Sequence, residues 1–419
     1  MKLLVFAHTP PPHHGQSYMV QLLLDGFGGD CRRGRHPSSH GIECYHVNAR
    51  FSEKLEDIGD FRPGKLILLL GYCLQAIWVR FRYGVKNFYY VPAPGKPSAL
   101  YRDWLVLLVC RPFFQRTILH WHAAGLAKWL ETAVPIRVRA ITYRATRQVD
   151  LSIVLSNYGR GDAAKLFPRR IAVVGNGIPD PCPTFAAAVL PRRQARLQVR
   201  QLLRSGSDIP PDLRAAAGEQ PEVFQVLFMA HCTREKGLFE AVQGVILAQH
   251  QLQRTGSPLS IRLQVAGEFM DPHEKQEFEQ LCRTAGDQVV TYVGFVGGER
   301  KRQILEQADL FCFPSHLESF GLVLAEAMAF GLPIITTRSG ALPEVLSEHY
   351  GGLVDAQSPE QVASTLIAMM DSSPFQSLRQ RFETHFTVHN YLAQLASVLR
   401  SVEREPLAAT PQPIGVSAA

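Results

Sequence analysis

The chain has 419 residues, of which 46% are hydrophobic and 19% charged, the balance of a globular α/β protein of two or three domains. Its net charge of +7 is unevenly spread: residues 1–185 hold 24 Lys and Arg against 12 Asp and Glu, and the remainder holds 20 against 25. A basic half favours an anionic partner such as a membrane surface or a lipid phosphate, but too diffusely here to indicate a nucleic acid.

The eight cysteines form no Cys-x-x-Cys pair and no zinc-finger spacing, which points to reduced thiols in a cytosolic chain. The apolar start at 2–7 is too short for a signal peptide and reads as a first strand. The apolar runs at 66–79 and 104–110 fall short of the ~20 residues that span a bilayer, so no transmembrane helix is expected.

In the first half, strands are expected at 2–7, 42–47, 87–91, 117–120, 151–155 and 171–174. Helical patterns lie between them at 16–27, 65–82, 99–111 and 138–148. This alternation is the βαβ signature of a parallel sheet covered on both faces. Residues 179–222, with prolines, an Arg-rich stretch and Ser205-Gly206-Ser207, show no strand pattern and read as a mobile linker with a helical insertion. A second series follows. Its strands are expected at 223–229, 261–266, 289–293, 310–313 and 334–336. Its helices are expected at 238–254, 273–284, 299–307, 321–330, 342–347 and 359–370. The expected organisation is an N-terminal Rossmann-like domain (1–178), a linker (179–222), a C-terminal Rossmann-like domain (223–387), a helix (388–405) packing back on the first domain, and a Pro- and Ala-rich disordered tail (406–419). Two doubly wound domains facing across a cleft would bind ligands at the carboxyl ends of their strands.

The most informative stretch runs from Pro314 to Pro333. A strand leads into Glu318-Ser319-Phe320-Gly321-Leu322, and a helix carries Glu326 and stops at Gly331, a C-cap. The helix N-terminus offers free N–H groups and a positive dipole end suited to a diphosphate. Eight residues of helix rise span ~12 Å, so the two carboxylates could each grip vicinal hydroxyls on either side of that diphosphate. A second strand end carries His231, Arg234 and Lys236, cations placed to neutralise an anion. In the first half, Pro10–Ser17 with Gly15 follows the first strand, Gln16 or Ser17 being the expected helix cap. His120 and His122 end the 117–120 strand, and Asn176-Gly177 makes a turn that reads as a hinge. No Asp-x-Asp pair sits at a strand end, so metal independence is expected.

These motifs resemble retaining glycosyltransferase family 4, of the GT-B fold. The resemblance rests on the Glu-x7-Glu pair with its Ser-Phe-Gly-Leu turn and on Ala-Glu-Ala-Met-Ala-x-Gly-x-Pro. It is strong over residues 223–350 and weaker in the first half. It implies a two-domain α/β enzyme that transfers a hexose from a UDP- or GDP-sugar, with no other cofactor, to a glycan or lipid-linked acceptor. On that pattern Glu318 contacts the hexose and Glu326 the ribose. Ser319, Phe320, Gly321 and Leu322 offer contacts to the sugar and phosphates. Lys236 and Arg234 neutralise the leaving diphosphate, His231 stands where the family often has Arg, and Gly15 and His122 approach the donor from the N-terminal domain. Ser339-Gly340-Ala341-Leu342-Pro343-Glu344 resembles a supporting turn. The expected location is cytoplasmic, peripheral at the inner face of a membrane. Two other readings stay open: a non-catalytic nucleotide-sugar-binding subunit and a nucleotide-sugar epimerase.

Overall fold

A computed structural model describes residues 1–11, 14–34, 40–50, 63–92, 95, 97–286 and 289–404. The expected tail at 406–419, the last residue of the 388–405 helix, and Pro12 and His13 of the first loop lie outside the described residues. The chain divides into two compact units. The first holds Met1–Val154, Arg160–Val174 and the residues from Leu392 onward; the second holds Leu155–Gly159 and Gly175–Tyr391.

The first unit is built on β1 (Lys2–Phe6), α1 (Gly15–Gly26), β2 (Glu43–Val47), α2 (Pro63–Tyr83), β3 (Asn87–Tyr90), α3 (Pro97–Cys110), β4 (Arg116–Trp121), α4 (Leu126–Ala133), α5 (Ile136–Thr146), β5 (Leu151–Val154), α6 (Tyr158–Ala164) and β6 (Ile171–Val173). The strands form one parallel sheet in the order β2-β1-β3-β4-β5-β6. Leu3, Leu4, Val5 and Phe6 are all buried, as expected of a central parallel strand covered on both faces. The chain order reverses around β1, which makes the ends of β1 and β3 the switch point where doubly wound sheets bind ligands.

The second unit contains α7 (Leu190–Ser205), α8 (Pro211–Ala217), β7 (Val223–Met229), α9 (Leu238–Arg254), β8 (Ser260–Ala266), α10 (Pro272–Ala285), β9 (Val290–Gly294), α11 (Gly298–Gln307), β10 (Leu310–Phe313), α12 (Leu322–Ala329), β11 (Ile334–Thr337), α13 (Leu342–Leu346), β12 (Leu353–Val354), α14 (Pro359–Met369) and α15 (Phe375–His385). Its parallel sheet runs β12-β11-β10-β7-β8-β9, with the switch point between β7 and β10. The final helix, α16 (Val388–Arg404), places Leu392 against Gly26 and Ser401 beside Arg170, both in the first unit.

Every strand expected from the sequence is present; the two-residue β12 is too short for an alternation signal. Residues 179–222 depart from the expected mobile linker. Most of this segment is helical, as expected, and its Arg193, Arg196 and Arg200 side chains are buried anchors of the second unit. Arg196 forks onto Asp309 at 2.8 and 2.9 Å, and Arg200 reaches the same carboxylate at 3.0 Å. Arg193 donates to Phe330 O and Leu305 O at 3.0 Å and also to Ala308 O. Asp309, 5% exposed, immediately precedes β10, and its carboxylate also accepts from Gln225 N at 2.9 Å. These pairs tie the insertion to the strand that leads into the Glu318 loop. An Arg-rich, strand-free stretch reads as solvated when its partners are a hundred residues away. The apolar run expected at 66–79 also proves longer than expected. Helix α2 has 21 residues, and its 66–83 stretch, with mean hydropathy 1.3, is long and apolar enough to cross a bilayer. Counting the apolar run only to residue 79 stopped short of the helix's end.

Candidate functional site

In the second unit the site grows out of the switch point. Because β7 and β10 are hydrogen-bonded neighbours, their exit loops, 230–237 and 314–321, emerge side by side. Gly237 has φ +77°, and a Cβ there would lie 2.1 Å from Pro314 O. Only glycine therefore lets the cationic turn close onto the other loop. Ser315 Oγ donates to Glu235 O at 3.2 Å, and His316 N donates to the same carbonyl at 2.9 Å.

This contact sets the central pair. Lys236 Nζ donates to Glu318 Oε2 at 2.6 Å, with side chains 28% and 18% exposed. Glu318 is further held from behind. Ala341 N donates to Glu318 O at 3.0 Å, and Gly340, at φ +63°, would press a Cβ to 2.2 Å from that oxygen. The Ser339-Gly340-Ala341 turn thus supports the Glu318 loop. Its Glu344 accepts from the amides of Asn157 and Tyr158 at 2.7 and 2.5 Å, a structural use of the carboxylate.

Helix α12 begins later than the sequence suggests. Gly321 adopts φ +83° as its N-cap, so Ser319 and Phe320 lie in the loop and the helix starts at Leu322. No side chain caps it, which leaves its first N–H groups open to an anion. The 318–321 interval is irregular, so helical rise does not measure the Glu318–Glu326 separation. Phe320 is 4% exposed and stands edge-on to Phe386, so its ring anchors the loop while its backbone remains with the site.

Glu326 brings in a residue that the motif reading missed. Lys301 Nζ, on α11, donates to Glu326 Oε1 at 2.6 Å, while Glu326 Oε2 is buried with no hydrogen-bond partner. Lys301 sits in an Arg-Lys-Arg run that reads as a solvated helix face. The available signal was its place just after Gly297-Gly298, a second strand-to-helix turn of the same unit.

Arg234, expected beside Lys236 as a neutraliser of a leaving diphosphate, is paired with an acid of its own. Its guanidinium forks onto Glu277 of α10 at 2.6 Å and lies over Phe239, with the side chain half exposed. His231 is kept below the usual imidazole pKa by desolvation and then by the Lys236 ammonium, so it is neutral at pH 7.

In the first unit the loops after β1 and β4 gather histidines. The expected cap at Gln16 or Ser17 is instead His14, whose ring accepts from Ser17 N at 3.3 Å while His14 N donates to Ser17 Oγ at 3.2 Å. Gly15 follows as the first residue of α1. His14 also meets His8, Nε2 to Nε2, at 2.8 Å. His122 stacks near His120, ring centroids 4.3 Å apart. Burial, and then the charge of His14, pushes His122 down to about 3, and burial with His14 pushes His8 to about 4. His120 is fully buried, paired to the Tyr89 hydroxyl through Nδ1, with Nε2 unpartnered. It is a core residue whose ring packs against that of His122, which is uncharged at neutral pH. Among the described residues no three His, Cys, Asp or Glu side chains gather as a metal site.

A strand, cationic turn and uncapped helix around a Lys–Glu pair make an arrangement that can hold an anion and also offers carboxylate acceptors. Residues 211–385 match the family of glycosyl transferases group 1. This is less than half of the chain. A D-inositol 3-phosphate glycosyltransferase of Pseudarthrobacter chlorophenolicus is 30% identical over 155 residues, which is 37% of this chain and 36% of that protein. The putative colanic acid biosynthesis glycosyltransferase WcaL of Escherichia coli K12 is 26% identical over 191 residues, 42% of this chain and 45% of that protein. The chain spans less than half the length of such curated relatives. Among solved structures, HepE of Anabaena in complex with UDP and glucose superposes with a TM-score of 0.63 at 15% identity, covering 95% of this chain and 99% of that one. The fold is GT-B, with two six-stranded parallel sheets.

Proposed function

We propose that the chain is a retaining glycosyltransferase of family 4 type. It moves a hexose from a UDP- or GDP-sugar to a glycan or lipid-linked acceptor in polysaccharide or glycolipid assembly, without a metal, in the cytoplasm. The observation that carries this reading is the Lys236–Glu318 pair at 2.6 Å beside the uncapped start of α12. The relatives' names, in polysaccharide and inositol phosphate glycosylation, and the UDP and glucose of the HepE structure support it.

The hard step is breaking the anomeric C–O bond, with negative charge growing on the departing diphosphate. Lys236 and the first N–H groups of α12 meet that charge with fixed positive ends, so no reorganisation is needed at the moment of reaction. As Lys236 turns to the phosphate, Glu318 is released to accept the hexose hydroxyls. Glu326, with its unpartnered Oε2, accepts the ribose hydroxyls. Retention follows from front-face attack, as the family resemblance implies, because among the described residues no further carboxylate is placed as a nucleophile.

Incubation with a panel of UDP- and GDP-hexoses, read by thermal shift and then by NMR of the product's anomeric proton, tests the reading. Donor-specific stabilisation and a product with the donor's anomeric configuration are expected. An inverted product would refute retention, and no response to any nucleotide sugar would refute the site.

A further inference from the structure

Helix α2 is apolar on two opposite faces. Leu69, Cys73, Ala76 and Val79 are buried in the core of the first unit. Ile67 (74% exposed), Leu70, Leu74 (66%), Trp78 (54%) and Phe81 (66%) point outward. Their spacings of three and four residues align them in one stripe, ~21 Å long at ~1.5 Å per residue. A surface helix of a soluble domain carries charged residues there.

The exposure is concentrated. Twelve of the twenty exposed large hydrophobic side chains among the described residues lie on α2, α3, α5 or the turn at Arg111–Phe113. These elements adjoin one another: α2 packs on α3 and α3 on α5. Phe81 stands edge-on to Phe113, and Trp104 Nε1 donates to Thr142 Oγ1 at 2.9 Å. The result is one continuous apolar surface, of the kind that marks an interaction site.

Its charge selects the partner. The sequences of α2, α3 and α5 contain seven Lys or Arg and a single acid, Asp103. That acid is buried and paired with Tyr90 and Arg102. Arg80 and Arg82 close the last turn of α2, the Arg80 guanidinium lying over the Phe81 ring and that of Arg82 over the Tyr83 ring. Apolar side chains flanked by aromatic rings and arginines match the boundary between acyl chains and anionic headgroups. A second copy of the same face would bring like charges together.

We propose that this face docks on an anionic lipid bilayer, with α2 lying in the interfacial plane. The helix does not cross the membrane, because leaving the unit would strip Leu69, Cys73, Ala76 and Val79 from their core. The surface shares no residue with the nucleotide-sugar site, so either reading can fail without the other.

Sedimentation of the full chain with vesicles tests it, using phosphatidylcholine alone and mixed with phosphatidylglycerol. Binding to the anionic vesicles is expected, at least about tenfold weaker to the neutral ones. The double variant Ile67→Asp/Leu74→Asp should lower anionic binding at least about tenfold, with thermal midpoint and nucleotide binding unchanged. If that variant fails to fold, Arg80→Gln/Arg82→Gln takes its place and should weaken binding and flatten its dependence on salt. Failure of the wild-type chain to sediment with anionic vesicles overturns the proposal, as does unaltered binding by folded variants. A wild-type dimer that the Asp variant dissociates, with no lipid binding by either, would make a second copy the occupant instead.

Discussion

Replacing Lys236 with Met keeps most of the side-chain volume and removes the ammonium that lies 2.6 Å from Glu318 Oε2. In the unliganded protein this pair is partly solvated, at 28% and 18% side-chain exposure, so its loss costs at most about 1 kcal/mol of stability. For a unit of this size that shifts the thermal midpoint by about 4 °C or less. During transfer the same ammonium faces a diphosphate gaining charge in a partly dry site. A single preorganised contact of that kind is worth about 2.7–4 kcal/mol, or about 100- to 1,000-fold in turnover. The two scales separate a catalytic role from a structural one. Nucleotide release from the donor, followed by a coupled assay beside a thermal melt, should show turnover reduced at least about 100-fold with the fold intact. Turnover within about tenfold of the parent would place Lys236 away from the diphosphate and refute the site. A collapse of the melt by much more than about 4 °C would instead make the Lys236–Glu318 pair part of the framework.

Glu326→Ala should also cost at least about 100-fold in turnover, measured in the same assay, because ribose loses its carboxylate acceptor. Lys301→Met should act on binding: it frees Glu326 to move, so the donor KM rises by about tenfold while kcat changes little, as steady-state kinetics would show. Asp309→Asn uncouples Arg196 and Arg200 inside the second unit. About 3–5 kcal/mol should be lost at pH 7, lowering the melt by at least about 6 °C. The buried arginines hold the Asp309 carboxyl well below the usual carboxylate range, so its contribution is present above an unfolded pKa of about 3.9. It is lost as pH falls through the lower folded value, and parent and variant melts should converge in acid. For His8 and His122 the folded values, about 4 and about 3, lie below the ordinary 6.5. The unfolded chain then takes up protons first, and stability should decline as pH drops from about 6.5 towards those values. Melts of His122→Asn between pH 7 and 4 should show a shallower decline.

Much of this molecule follows from local pattern. Short continuous apolar runs mark the strands, because a parallel strand is buried on both faces, and period-3.6 stretches bounded by glycine and proline mark the helices. The loops at Lys236 and Glu318 were readable for the same reason: each lies where a strand ends and a helix begins, and the chemistry is written in consecutive residues. What the sequence does not carry is pairing between distant segments. Lys301 meets Glu326, and Arg196 meets Asp309, only because the sheet order brings their elements together. Arg234 meets Glu277 because α10 packs beside it, a pairing across 43 residues that no local pattern carries. The outward apolar stripe of α2 has the composition of a core helix, and only packing reveals which of its two apolar faces the core leaves uncovered. Local propensity and hydrophobic period therefore determined the elements and the motifs they present. The tertiary structure decided which charges meet and which surfaces stay wet, because electrostatic pairing and burial depend on distance in space and not along the chain.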